Sequence, residues 1–150
     1  MSSTVRRFVL LLALMMAISA CAEVKKGSRE EAVDAYAYKG SKDEVFMGAP
    51  KITPAMVKAG DRLTLVLPFT LLAPQKETTF KVVEIVTMSG EGILMELSRK
   101  DSEKPQGTHT SSVQLVIPEN LPRGSYTLTT TIIANGVEKK RLGWFVVEGR

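Results

Sequence analysis

The chain reads as an all-β protein, an antiparallel sandwich of about seven short strands. Three observations carry this reading. Residues 62–72 place Leu63, Leu65, Leu67, Phe69 and Leu71 on one side, the period-two pattern of a half-buried strand. Turn signals punctuate the whole of the chain after residue 44: Gly48–Pro50, Gly60–Asp61, Ser89–Gly92, Pro118–Gly124 and Asn135–Gly136. No stretch alternates strand and helix patterns, as a parallel βαβ sheet would require.

Taken in order, residues 22–28 (Ala-Glu-Val-Lys-Lys-Gly-Ser) are polar and small and form a tether. Ser28 and Glu31 have capping-box spacing, which allows a helix of two or three turns ended by Gly40–Ser41. Isolated helices that short are marginal in water, so a partly ordered linker is the equal alternative. Glu44 to Met47 is an edge strand and Lys51–Pro54 a short first sandwich strand. The strand over 62–72 carries Pro68, which cannot donate to a ladder, so it is expected at an edge, bulged or split there. Thr78 to Met88 is β-branched and aromatic, and Ile93 to Leu97 follows after a turn. Arg99 to Gly107 is polar, contains Pro105, and is expected to be an exposed loop. Val113, Leu115 and Ile117 mark another strand. Tyr126–Ala134 and Val137–Glu148 form the last pair, joined by Asn135–Gly136, whose residues tolerate the positive φ of a type I′ turn.

The stretch Ile117-Pro118-Glu119-Asn120-Leu121-Pro122-Arg123-Gly124-Ser125-Tyr126-Thr127-Leu128, followed by a hairpin ending Trp144-Phe145-Val146-Val147, resembles the last strands of immunoglobulin-like or fibronectin-like bacterial domains. Ala59-Gly60-Asp61-Arg62-Leu63 resembles the entry to their second strand. The resemblance covers about residues 50–148 and implies an immunoglobulin-like sandwich with Tyr126 as its corner tyrosine. Its motifs belong to the fold and imply no activity. The cysteine pair of antibody domains is absent.

The N-terminus carries the most specific signal. Arg6 and Arg7 precede an eleven-residue apolar run, Phe8 to Ile18, and then Ser19-Ala20-Cys21. The run is shorter than the roughly 20 residues a spanning helix needs. This order resembles the signal sequence and lipobox of bacterial lipoproteins. The resemblance implies diacylglycerol on the Cys21 thiol, cleavage between Ala20 and Cys21, and acylation of the new amino group. It makes 1–20 a signal peptide, 21–43 a lipidated tether with the short helix, and 44–150 the sandwich. Two or more acyl chains anchor stably where one does not. Ala22, lacking the aspartate that retains such proteins in the inner membrane, implies the outer membrane. Ordinary cleavage after Ala20 and an uncleaved anchor are competing readings. A twin-arginine export signal is a third, with Phe8 standing where that motif has an intervening residue.

The 130 residues after Ala20 suit one domain. Loss of Arg6 and Arg7 leaves 18 basic against 16 acidic residues, a net +2 that gives no reason to expect nucleic acid. Cys21 is the sole cysteine, so no internal disulfide is available. The basic run Lys139-Lys140-Arg141 reads as a solvated strand face, with anionic headgroups or polysaccharide as the functional alternative.

Nothing assembles into a catalytic constellation. His109, the sole histidine, lies in Thr108-His109-Thr110-Ser111-Ser112 without a nucleophile elbow and reads as an exposed strand-end residue. Glu84 and Glu96 could be imagined as a glycosidase pair. Neighbouring Lys81, Arg99 and Lys100 make cross-strand ion pairs the expected role. Asp101 and Glu103 lack calcium-loop spacing, and one histidine cannot build a typical zinc site. Met47, Met56, Met88 and Met95 read as core filler, Gly90-Glu91-Gly92 as a turn, and Trp144 as a core or sandwich-edge residue, with sugar stacking as its alternative. No catalytic, cofactor or metal residues are expected.

The function expected is therefore non-catalytic: an envelope protein, held to the membrane by lipid on Cys21, that binds or scaffolds another envelope protein. Strand addition at an edge is its natural mode, with the Pro68 and Lys139–Arg141 segments as candidate edges. The alternatives are a protease or lysozyme inhibitor presenting residues 99–110 as a loop, and an accessory subunit of a secretion or export machine.

Overall fold

The structure is a computed structural model and is described for residues 27–149. The expectations for Arg6–Ala22, including Ala20, Cys21 and Ala22, lie outside the described residues. Within them, one helix, α1 (Arg29–Ala35), precedes nine strands: β1 (Glu44–Met47), β2 (Lys51–Thr53), β3 (Met56–Val57), β4 (Arg62–Leu72), β5 (Thr79–Gly90), β6 (Ile93–Pro105), β7 (Gly107–Val116), β8 (Gly124–Ala134) and β9 (Val137–Val147).

Two sheets face each other. In the first, β4 is central, with β7 along one side and β1 then β2 along the other. The second runs β3-β9-β8-β5-β6, antiparallel except for the β3–β9 pair. The expected immunoglobulin-like sandwich is thus present. The segments β1, β2 and β3 are one interrupted run that hops from the first sheet to the second, so the nine strands are seven passes of the chain.

Two expectations about elements are corrected. Pro68 does not sit in an edge strand, since β4 has neighbours on both sides. A strand residue's N–H and C=O point to the same neighbour. Pro68 O accepts from Gly48 N at 2.8 Å, so its hydrogen-free nitrogen faces the gap where the chain leaves the ladder between β1 and β2. The split is in the neighbouring strand. Residues 99–105 are not a loop but the second half of β6, paired with Thr79–Ile85. Their charges mark an exposed edge strand, where Lys and Glu discourage further pairing. The short β3 was not anticipated.

Helix α1 begins with the capping box: Glu31 N donates to Ser28 Oγ at 3.2 Å and Ser28 N to Glu31 Oε2 at 3.1 Å. Packing supplies what so short a helix lacks. Ala32 is buried, and Arg29 donates to Ala73 O and to Gln106 Oε1. Gln106 also accepts from Ala73 N and donates to Gln75 O and Lys76 O, which fixes the β6–β7 corner to the β4–β5 loop. At the opposite end Tyr126 Oη donates to Pro122 O at 2.7 Å, the tyrosine corner. Asn135 and Gly136 have φ of 47° and 84°, as the type I′ hairpin requires.

The core is in two parts. One cluster is built around Leu63, Leu65, Met88, Tyr126, Leu128 and Phe145, the other around Leu67, Phe69, Leu71, Phe80, Val82 and Ile132. Between them the inward positions of β5 and β8 are Glu84 and Thr130, both buried. Glu84 Oε1 lies 3.5 Å from Lys104 Nζ, and the Thr130 and Ser102 hydroxyls are buried without a hydrogen-bond partner. A polar waist therefore separates the two apolar clusters.

Candidate protein-binding face along strand β9

Strand β9 pairs with β8 along its whole length, and its inward residues Phe145 and Val147 belong to the first core cluster. Its other side pairs with β3 only at Val146 and Val147. Val146 N donates to Ala55 O, so alternation turns the backbone groups of Trp144, Leu142, Lys140 and Glu138 to the same side. Among the described residues no strand pairs with them there. Lys140 O accepts from the guanidinium of Arg141 at 3.3 Å. Lys139–Arg141 is the edge expected from the sequence.

The outer face of this edge is apolar. Leu142 is 49% exposed, Trp144 65% and Val146 37%, and Met56, 59% exposed, lies directly beside Val146 in the β3–β9 register. Leu142, Trp144 and Val146 share the outward phase of β9, so these exposed apolar residues form one strip beside the unpaired edge. Trp144 is thus outside the core. Gly143, Phe145 and Val147 take the inward phase, and Trp144 falls on the other side.

Two adjoining grooves run beneath the edge, where β9 faces the interrupted first run. One, of about 620 Å³, is lined by Pro50, Ile52, Leu142, Gly143 and Trp144. A Cβ on Gly143 would lie 2.7 Å from Ile52 Cδ1 and 3.4 Å from Pro50 Cγ, so the Ile52 side chain would have to shift to admit one. The other, of about 400 Å³, lies between β1 and the start of β9. Its β1 side carries Lys42, Asp43, Glu44 and Phe46, with Phe46 stacked on Tyr36 at 4.2 Å, and its β9 side carries Lys139 and Arg141. Met47 and Arg141 border both grooves. Glu138 pairs with Lys140 at 2.8 Å, both half-exposed, an arrangement that contributes little to stability. Neither Lys139 nor Arg141 makes an ion pair among the described residues.

The residues considered for catalysis are not brought together. His109 is buried, against the expectation of an exposed strand end. Its Nε2 is 2.7 Å from Pro105 O and its ring is 5.6 Å from that of Phe69. Counting back from the inward Leu115 and Val113 puts His109 inward, a signal the sequence contained. Glu84 points into the sandwich, whereas Glu96 pairs in register with the outward Thr87, so the two carboxylates lie on opposite faces of their sheet. Glu96 accepts two hydrogen bonds from Arg99, both 3.0 Å, which hold its carboxyl below the ordinary range. Asp101 and Glu103 are on β6. Among the described residues no group of three or more His, Cys, Asp or Glu could hold a metal ion. Met47 and Met88 are buried as expected, while Met56 and Met95 are exposed.

The fold and this face define a small immunoglobulin-like β-sandwich with an open, apolar-flanked edge. No protein-family model and no curated protein sequence matches the chain. Among solved structures it is similar to a β-glucosidase from Erythrobacter marinus, at 13% identity and a TM-score of 0.53. That match covers 71% of this chain and 16% of the glucosidase. It is also similar to the alkylpurine DNA glycosylase AlkC of Pseudomonas fluorescens, at 14% identity and a TM-score of 0.50, over 81% of this chain and 37% of that one. A family 123 glycoside hydrolase from Clostridium perfringens matches at 12% and 0.50, over 73% and 28%. The chain spans well under half the length of each, and at these identities the likeness is one of fold alone.

Proposed function

We propose that this chain is a non-catalytic bacterial envelope protein, anchored by lipid on Cys21 and binding another envelope protein by strand addition to β9. The observation that carries the binding reading is the conjunction at β9 of unpaired backbone groups with exposed Leu142, Trp144, Val146 and Met56. Backbone hydrogen bonds would give affinity, and the alternating grooves and outer strip would give specificity. The inhibitor reading loses its proposed loop, since residues 99–110 fall in β6 and β7 apart from the corner residue Gln106.

The anchor has a geometric consequence. From Cys21 to Gly27 the chain can reach at most about 20 Å. Gly27 is fixed beside Thr108, whose N donates to Gly27 O at 3.0 Å, at the end of the sandwich that also carries the β8–β9 turn. That end would face the bilayer, and β9 would rise from it, exposing its edge laterally to a membrane neighbour.

A photocrosslinking side chain placed at position 142 in the native host tests this, with position 101 on the other edge of the same sheet as its reference. The proposal expects one envelope protein joined from 142 and not from 101. Identical adducts from both positions, or none from 142, would overturn it.

A further inference from the structure

We infer that the segment added to β9 is acidic in one half and apolar in the other, and belongs to a second protein. The inference rests on the strand-addition reading and narrows it. Residues directly opposite in an antiparallel pair share a face. A partner residue opposite Gly143 would therefore enter the groove lined by Pro50, Ile52 and Gly143. Residues opposite Leu142 and Trp144 would cover the exposed outer strip. Those opposite Arg141 and Lys139 would enter the second groove along its β9 side, where both cations lack an ion-pair partner among the described residues.

The carboxylates already in that groove do not satisfy these cations. Asp43 and Glu44 stand on the β1 side, and Asp43 accepts from Asn135 Nδ2 at 3.3 Å. A second copy of this chain is the poorer occupant. Between Val137 and Val147 the strand holds three cations and one carboxylate, and that carboxylate, Glu138, is paired with Lys140. An edge paired with its own copy would leave Lys139 and Arg141 facing no carboxylate, an unfavourable arrangement where charge is partly desolvated. A partner with glutamate or aspartate at alternate positions completes the site.

Trp144, the chain's sole tryptophan, stands in the contact and reports on it. The test is a titration of the full chain in detergent micelles, followed by Trp144 emission. Two hexapeptides cover the two strand directions, Val-Val-Leu-Glu-Thr-Glu and Glu-Thr-Glu-Leu-Val-Val. Counterparts carry lysine for glutamate, or N-methyl groups on the amides that would face β9. The expected result is a saturable blue shift with an acidic peptide below about 1 mM. The lysine peptide should bind at least about tenfold more weakly, and the double variant Lys139→Glu/Arg141→Glu should reverse that preference. N-methylation should abolish the shift. Equal binding of the glutamate and lysine peptides would overturn the acidic partner while leaving the edge reading standing. No saturable shift up to about 1 mM, or undiminished binding after N-methylation, would overturn the edge reading as well.

Discussion

Substituting Lys104 by methionine removes the cation of the polar waist and leaves its carboxylate in place. Glu84 is 7% exposed, between Val82 of one core cluster and Val86 of the other. At 3.5 Å, an effective dielectric of about 20 gives an attraction of about 5 kcal/mol. Desolvation of both ions consumes most of this, so the pair stabilises little relative to apolar residues of similar size. Breaking the pair is different, because the remaining carboxylate stays buried without its partner, at a typical cost of 3–5 kcal/mol. The Lys104 side chain is 19% exposed, so water can partly replace it, and about 3 kcal/mol is expected for Lys104→Met. That is a large share of the roughly 5–15 kcal/mol that holds a domain folded. The double variant Glu84→Leu/Lys104→Met should recover to within about 1 kcal/mol of the parent. Urea unfolding followed by far-ultraviolet circular dichroism at neutral pH measures all the states without screening the charges. If Lys104→Met unfolds within about 0.5 kcal/mol of the parent, Glu84 is solvated and the waist does not divide the interior.

Three further outcomes follow from other parts of the molecule. Burial raises the phenol pKa of Tyr126, with a smaller contribution from Glu91, and burial likewise raises that of Tyr38, followed by Glu44 and Asp43. A folded pKa above the unfolded one gives stability that is complete below about pH 10 and is lost as the pH rises through the folded value. Tyr126→Phe should cost about 1 kcal/mol at pH 8 through the lost bond to Pro122 O, and should flatten the alkaline loss; an unchanged slope in urea unfolding would contradict this. Gly90 has a φ of 153°, and a Cβ there would lie 2.8 Å from Ser125 O and 2.7 Å from Tyr126 Cδ1, whereas at Gly92, φ 76°, a Cβ would meet open space. Gly90→Ala should therefore destabilise by about 2 kcal/mol more than Gly92→Ala in thermal melts. Intact mass spectrometry of the membrane-extracted protein should show a chain beginning at Cys21 with the added mass of acyl groups. An unmodified thiol or an intact Met1 would remove the anchor.

The sandwich was legible because burial on one face of a sheet imposes a two-residue period, and Leu63 to Leu71 keep it without interruption. Turn chemistry placed the Asn135–Gly136 hairpin, whose positive φ values follow from the residues themselves. Part of what escaped comes from strand phase, which outranks the chemical character of the residues. Glu84, Thr130 and His109 are polar but share the inward phase of their strands, and Trp144 is apolar but alternates with Phe145. β6 was hidden differently. As an edge strand it lacks the apolar alternation of its neighbour β5, so Arg99 to Lys104 read as a loop until the register with β5 showed their pairing. Pro68 fits a central strand because its neighbour is interrupted, a tertiary fact that no local pattern carries. Of the binding face, the Lys139–Arg141 edge was visible in the sequence, but the grooves were not, since they are made by residues about 90 positions away on β1 and β2.

Residue-resolved hydrogen exchange across β9, with and without the acidic–apolar peptide, tests the edge most directly. Strand addition predicts slowed exchange at the amides of Lys140, Leu142 and Trp144, which face away from β8, with little change at Arg141 and Gly143, which β8 already protects. Protection that falls elsewhere, or leaves those three amides exchanging at their original rates while the peptide is bound, would contradict the account.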